Sequence, residues 1–257
     1  MKKILITGAT SGIMKEVIEK IKDDYFIYVT THTNKELNNI KRLYQKDKNI
    51  KCFKLDITNK KDRNKIKKEN IDILINNAAI GIGGSIINMK VDDIRKNYEV
   101  NIFSSIEITQ IVLKNMIRKN SGKIIFIGSL ASFIPIPFLG SYSSTKASLI
   151  KISECLKKEL KILNSNINVS LIEPGLYHTG FNNVMFDNKY NTDFDNLFKK
   201  ELELIRKKEN ILLILLEKKK LDSITNKIIE SLEGDKFIYR APITQVIFSK
   251  LYCLLFE

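Results

Sequence analysis

Apolar runs alternate with helical patterns along this chain of 257 residues, and that alternation limits the folds open to it most sharply. KILITG (3–8), FIYVTT (26–31), IKCFKLDIT (50–58), IDILINNAA (71–79), GKIIFIGS (122–129) and INVSLIEPG (167–175) each read as a strand. Helical spacing fills the gaps, over about 12–23, 34–46, 60–69, 91–119, 142–163 and 221–233. Strands that are apolar throughout belong to a parallel sheet buried on both faces. Right-handed crossovers then give a doubly wound α/β fold with helices on both faces. Such a sheet carries its ligand beyond the carboxyl ends of its strands. Gly8, Thr31, Asp56, Asn77, Ser129 and Pro174 each close a strand, so the site is expected among them.

The bulk properties exclude several classes. No apolar run reaches the ~18 residues of a membrane span, and the N-terminus lacks a secretory signal pattern. Cys52, Cys155 and Cys253 have no metal-ligand spacing and read as reduced thiols, so a cytoplasmic protein is expected. The net charge of +14 includes twelve Lys or Arg against three acids in residues 41–68. These cations are spread over helices and loops without interleaved aromatics. They read as a solvated surface, with no specific nucleic-acid partner expected.

Between the first strand and the first helix lies TGATSGI. Gly8 and Gly12 frame a tight turn whose backbone N–H groups face a pyrophosphate, at a helix N-terminus whose dipole favours an anion. Met14 stands where such loops commonly carry a third glycine that lets helix and strand approach closely. Somewhat loosened packing is therefore expected there.

Further along, SYSSTK places Tyr142 and Lys146 one helical turn apart on one face. A free phenol, with a pKa near 10, is a poor acid–base group at neutral pH. A neighbouring ammonium favours the phenolate, and lowering the pKa by ~3 units takes ~4 kcal/mol. Ser129 lies at a strand end, where its hydroxyl can hold a carbonyl. Asn101 stands inside a long helix, where asparagine is a poor choice without a local task.

TGATSGI (7–13), LDIT (55–58), NNAA (76–79), Asn101, Ser129, YSSTK (142–146) and EPGLYHT (173–179) together resemble the short-chain dehydrogenase/reductase family, in its shorter-chain branch. The resemblance covers roughly residues 1–180. It implies a single Rossmann-fold domain over 1–257, with a parallel sheet of about seven strands, and an NAD(P)-dependent oxidoreductase. By the same resemblance Tyr142 is the acid–base. Lys146 lowers its pKa and holds the nicotinamide ribose, Ser129 orients the substrate oxygen, and Asn101 supports a proton relay. Gly8, Ser11, Gly12 and Ile13 fall on the pyrophosphate loop, and Asp56 and Ile57 on the adenine pocket. Asn77 and Ala78 fall beside the adenosine ribose. Pro174, Gly175 and Thr179 fall on the segment that holds the nicotinamide. The departures are Met14 and Ala79, each in a glycine's place. Met14 leaves a catalytically idle dinucleotide-binding protein as the alternative reading.

An NAD site wants a carboxylate at the end of the second strand, for the ribose 2′-OH. Thr31 stands there instead, and no acid follows until Glu36, while His32 and Lys35 suit a 2′-phosphate. NADP(H) is thus favoured, with NAD(H) possible. The apolar segment FIPIPFLG (133–140) and a lid expected over 180–220, with Phe181, Val184, Met185, Phe186, Tyr190, Phe194 and Leu197, suit a hydrophobic carbonyl or alcohol. The apolar tail over 240–257 is expected to dock on the core, close a dimer or touch a membrane surface. The resemblance also implies a homodimer or homotetramer built on the helices of Asn101 and Tyr142.

Overall fold

The computed structural model describes residues 1–10, 12–182, 185 and 198–256. Strands β1 (Lys3–Ile6), β2 (Phe26–Thr31), β3 (Ile50–Lys54), β4 (Ile73–Asn76), β5 (Gly122–Ile127), β6 (Ile167–Pro174) and β7 (Ile238–Ala241) form one sheet. Its order is β3-β2-β1-β4-β5-β6-β7, and each neighbouring pair is parallel. The helices are α1 (Ile13–Ile21), α2 (Asn34–Leu43), α3 (Lys60–Asn64), α4 (Val91–Tyr98), α5 (Ser105–Lys119), α6 (Gly140–Ile162), α7 (Lys199–Leu216), α8 (Asp222–Glu233) and α9 (Ile243–Phe256).

The period-two alternation of the strands sorts the core into two layers. Ile4, Ile6, Ile27, Val29, Ile73 and Ile75 point to one face and pack with α1 and α8. Leu5, Tyr28, Leu74, Ile124 and Phe126 point to the other and pack with α5 and α6. Helix α1 buries Met14, Val17, Ile18 and Ile21, at the spacing of one helical stripe. Each such burial is worth about 1.5–3 kcal/mol.

The strands end earlier than their apolar runs. β1 stops at Ile6 and β4 at Asn76, so Thr7, Gly8, Asn77 and Ala78 leave the ladder and become loops at the point where strand order reverses. The helix expected over 91–119 is interrupted by a π-helical segment, Glu99–Ser104, which contains Asn101. The tail folds as α9, whose Gln245 side chain accepts from the Leu176 N–H (2.6 Å) and donates to the Leu216 carbonyl (2.7 Å). It thereby joins the loop after β6 to the end of α7.

Candidate active site

A cleft of about 1330 Å³ opens at the carboxyl ends of the strands. Its wall includes Gly8, Gly12, Ile13, His32, Asp56, Ile57, Asn77, Ala78, Ser129, Tyr142, Lys146, Pro174, Gly175 and Thr179. The strand ends thus bring most of the expected site residues to one place. Ser11 lies outside the described residues, as do Val184, Phe186, Tyr190, Phe194 and Leu197 of the expected lid. Thr31 is fully buried, and its hydroxyl donates to the Thr33 carbonyl (3.2 Å), so it does not reach the cleft. Asn101 is buried behind the wall.

At one end, Gly8 has φ +61°, and a Cβ there would stand 2.9 Å from the Ala78 backbone. Gly12 has φ +62°, and a Cβ would meet the Thr179 side chain at 3.0 Å. The loop therefore presents bare backbone, ahead of the N-terminus of α1, to the cleft: a cradle that fits a dinucleotide pyrophosphate. Asn77 stitches the loop to β4, donating from Nδ2 to the carbonyls of Thr7 (2.9 Å) and Gly8 (2.8 Å). Thr7, which the sequence reading passed over, accepts at Oγ1 from the N–H groups of Asn77 (2.9 Å) and Ala78 (3.0 Å). Met14 does not intrude into this space. It is 1% exposed and buried among the apolar residues under α1, so thioether packing replaces the close approach a glycine would permit.

Farther along, His32 Nε2 stands 3.7 Å from Asp56 Oδ2. Asp56 Oδ1 accepts from the Thr58 N–H (3.0 Å) and hydroxyl (2.7 Å). Glu36 is engaged in a capping box, accepting from the Thr33 N–H (2.8 Å) and hydroxyl (3.1 Å).

At the other end, Tyr142 and Lys146 lie buried on the first turns of α6. Lys146 Nζ donates to the Ile127 carbonyl (2.8 Å) and stands 5.7 Å from the centre of the Tyr142 ring. Burial pushes the Tyr142 phenol up to about 12, against the opposing pull of a hydrogen bond with Ser129. Burial also brings Lys146 down to about 8. The sequence reading expected the ammonium to lower the phenol's pKa. Burial of the phenol acts in the opposite direction and is the largest influence on it.

Two asparagines one turn apart form a ladder beneath this end. Asn101 Oδ1 accepts from the Ile80 N–H (2.9 Å), and its Nδ2 donates to the Ile80 carbonyl (2.9 Å) and Thr145 Oγ1 (3.0 Å). Asn97 repeats the pattern with the Ile82 N–H (3.0 Å), the Ile82 carbonyl (2.8 Å) and Ser141 Oγ (2.7 Å). The sequence reading singled out Asn101 and missed Asn97. Asn97 and Ser141 carry the same four-residue offsets as Asn101 and Thr145, which is the signal that could have found them.

A family model described as "short chain dehydrogenase" matches residues 2–189. The chain belongs to the short-chain dehydrogenase family. It is accordingly an NAD(P)-dependent oxidoreductase that moves a hydride between nicotinamide C4 and a carbonyl or alcohol. It is similar to a 3-oxoacyl-[acyl-carrier-protein] reductase of Buchnera aphidicola, 34% identical over 84% of this chain and 90% of the relative. It is also similar to a 3-ketodihydrosphingosine reductase of Bacteroides thetaiotaomicron, 29% identical over 96% of this chain and 90% of the relative. A third relative is a 3-amino-tetrahydro-pyrrolizinone reductase of Xenorhabdus hominickii, 30% identical over 69% of this chain. The match spans 62% of that protein's length. Among solved structures, a short-chain dehydrogenase/reductase from Burkholderia phymatum, in complex with NAD, superposes with a TM-score of 0.82. Sequence identity is 18%, over 97% of this chain and 92% of the other.

Proposed function

We propose that this oxidoreductase is an NADPH-dependent reductase of ketones on long apolar chains. The observation that carries the reading is the buried Tyr142–Lys146 pair with half-buried Ser129, at one end of a cleft whose substrate side is apolar. Ile80, Ile82, Ile136, Leu139, Phe181 and Met185 line that side. Phe181 packs on the Tyr142 ring at 5.9 Å, and Phe198, at the foot of α7, meets Phe138 at 5.5 Å. These contacts support a lid over residues 180–220 within a single domain spanning 1–257. The names of two relatives, a 3-oxoacyl and a 3-ketodihydrosphingosine reductase, point to the same substrate class.

When bound, the dinucleotide supplies the hydride that goes to the carbonyl carbon. Tyr142 gives its phenolic proton to the carbonyl oxygen. A phenol raised to about 12 is fully protonated at neutral pH, so the acid needed for reduction is in place. The Ser129 hydroxyl donates to the same oxygen and fixes its position. Lys146 stabilises the phenolate left behind, and the Asn101 amide holds the loop of Ile80 against α6 beside it. Gly8, Ser11, Gly12 and Ile13 hold the pyrophosphate, Asp56, Ile57, Asn77 and Ala78 the adenosine, and Pro174, Gly175 and Thr179 the nicotinamide.

Preference for NADP(H) rests on Glu36. Its carboxylate is committed to the capping box and is not free to accept from a ribose 2′-OH, whereas His32 and Lys35 are exposed beside it. The protein acts in the cytoplasm as a homodimer or homotetramer on this reading. The test is turnover of short- and long-chain 3-keto substrates with each dinucleotide. The reading predicts kcat/KM rising with chain length and at least ten-fold favouring NADPH. A flat chain-length profile, or a preference for NADH, contradicts it.

A further inference from the structure

Helix α9 carries an apolar stripe that the body of the protein does not cover. Gln245, Val246 and Ser249 face the body of the protein and are buried. On the opposite side Ile243, Ile247 and Leu251, at i, i+4 and i+8, are each more than half exposed. An apolar stripe left facing outward on a helix calls for a cover. The helix also forms one lip of the cleft, because Phe248, Ser249 and Tyr252 line it together with Leu216 at the end of α7. Gln245 fastens the two helices at that point through the Leu216 carbonyl. Beside Leu216, Leu215 is exposed, as is Ile211 one turn earlier.

Charge decides what covers this surface. Lys218, Lys219 and Lys220 follow α7 after Glu217 and are all exposed, as is Lys250 on the outward side of α9. The carboxylates nearest in sequence are engaged elsewhere. Glu217 accepts from Asn182 (3.0 Å) and pairs with His178 (2.8 Å), and Asp222 pairs with Lys20 (2.9 Å). A second copy seated here by two-fold symmetry would bring both lysine clusters into one interface, on a chain that already carries +14. An anionic lipid surface instead matches both features, apolar side chains for the acyl boundary and ammonium groups for the headgroups. Among the described residues no helix is long and apolar enough to cross a membrane, so the contact lies on the surface.

We propose that the outward face of α9, with the end of α7 and Lys218–Lys220, docks on anionic membrane, bringing the mouth of the cleft to the bilayer. The inference rests on the long-chain ketone reading for its purpose, but not for its test. Flotation of the full-length protein with vesicles needs neither dinucleotide nor substrate. Vesicles of phosphatidylcholine with 30% phosphatidylglycerol are expected to carry the protein to the top of a gradient, and pure phosphatidylcholine to carry at least ten-fold less. Removing Lys219 and Lys220 together (K219A/K220A) is expected to lower binding by roughly 30-fold, at about 1 kcal/mol for each lysine. Ile247→Glu with Leu251→Glu is expected to abolish binding. Both variants alter exposed side chains outside the cleft wall, and an unchanged melting temperature establishes that they fold. Turnover of a short water-soluble ketone stays unchanged in both, so loss of that activity in the unmodified protein would fault the enzymatic reading alone. Absence of flotation, equal flotation with neutral vesicles, or flotation that survives Ile247→Glu with Leu251→Glu overturns the proposal. Sedimentation that shows a dimer dissolved by the same pair of changes also overturns it, in favour of a second copy as the cover.

Discussion

Replacing Lys146 with methionine should stabilise the cofactor-free protein at neutral pH while destroying its activity. The ammonium is buried, and its pKa falls from 10.5 to about 8 through loss of hydration. That lowering corresponds to about 3 kcal/mol of penalty on the charged form at pH 7. The sign follows from proton counting. Between pH 8 and 10.5 the unfolded chain keeps a proton at this site that the folded chain has released, so the folded state gains stability as pH rises through that window. Methionine removes the charge at similar length and forfeits the hydrogen bond to the Ile127 carbonyl, worth about 1 kcal/mol. The net gain at pH 7 is about 2 kcal/mol, or roughly 4–8 °C in melting temperature for a chain of this size. By pH 10 the remaining penalty is below about 1 kcal/mol, and the variant should be no more stable than the natural protein. Urea unfolding without dinucleotide, at pH 7 and pH 10, reads both values. A variant less stable at pH 7, or a difference that does not shrink by pH 10, refutes the claim that desolvation governs this lysine.

Other perturbations follow from single contacts. Gly8→Ala forces an L side chain to φ +61° against the Ala78 backbone, and should cost at least about 2 kcal/mol of stability and more than ten-fold in dinucleotide affinity by titration calorimetry. Asn97→Leu unpairs the half-buried Ile82 N–H and carbonyl, and should cost about 2 kcal/mol in urea unfolding, with a raised KM. Arg240→Met strands Glu173, which is wholly buried, has its pKa raised by burial and pairs through Oε2 with Arg240 Nε (2.5 Å). A loss of about 3–5 kcal/mol is expected at pH 7. It should shrink as pH falls below the raised pKa, because the folded state then takes up the proton first.

Much of this site is written in local sequence. The glycine turn, the Tyr142–Lys146 spacing and the residues closing each strand are short-range patterns, and the sheet order assembles them without further information. What escaped notice depends on distant partners. Thr7 matters because β4 ends beside it, 70 residues on. Asn97 matters because Ser141 comes to lie 2.7 Å away, and the offset it shares with Asn101 gains meaning only once α6 is paired with it. The π-helical turn has no sequence signature of its own, although the doubtful asparagine marked its place. Proximity of Tyr142 and Lys146 is visible in the sequence, whereas their burial, which pushes the phenol up, is not. The same limit applied to Thr31, which closes a strand as expected but faces the core. Met14, set against the loop's glycines, predicts somewhat loosened packing between helix and strand. Helical spacing in fact places it in the α1 stripe with Val17, Ile18 and Ile21.

The central claim is that the Tyr142 phenol supplies the proton while other residues hold the dinucleotide. Tyr142→Phe tests it most directly, with NADPH titrated by fluorescence and ketone reduction followed in the same preparation. The account predicts a dissociation constant within about three-fold of the natural protein and a kcat lower by at least 10³, within the range general acid catalysis supplies. Turnover that persists, or a dinucleotide affinity that collapses with it, would contradict the account.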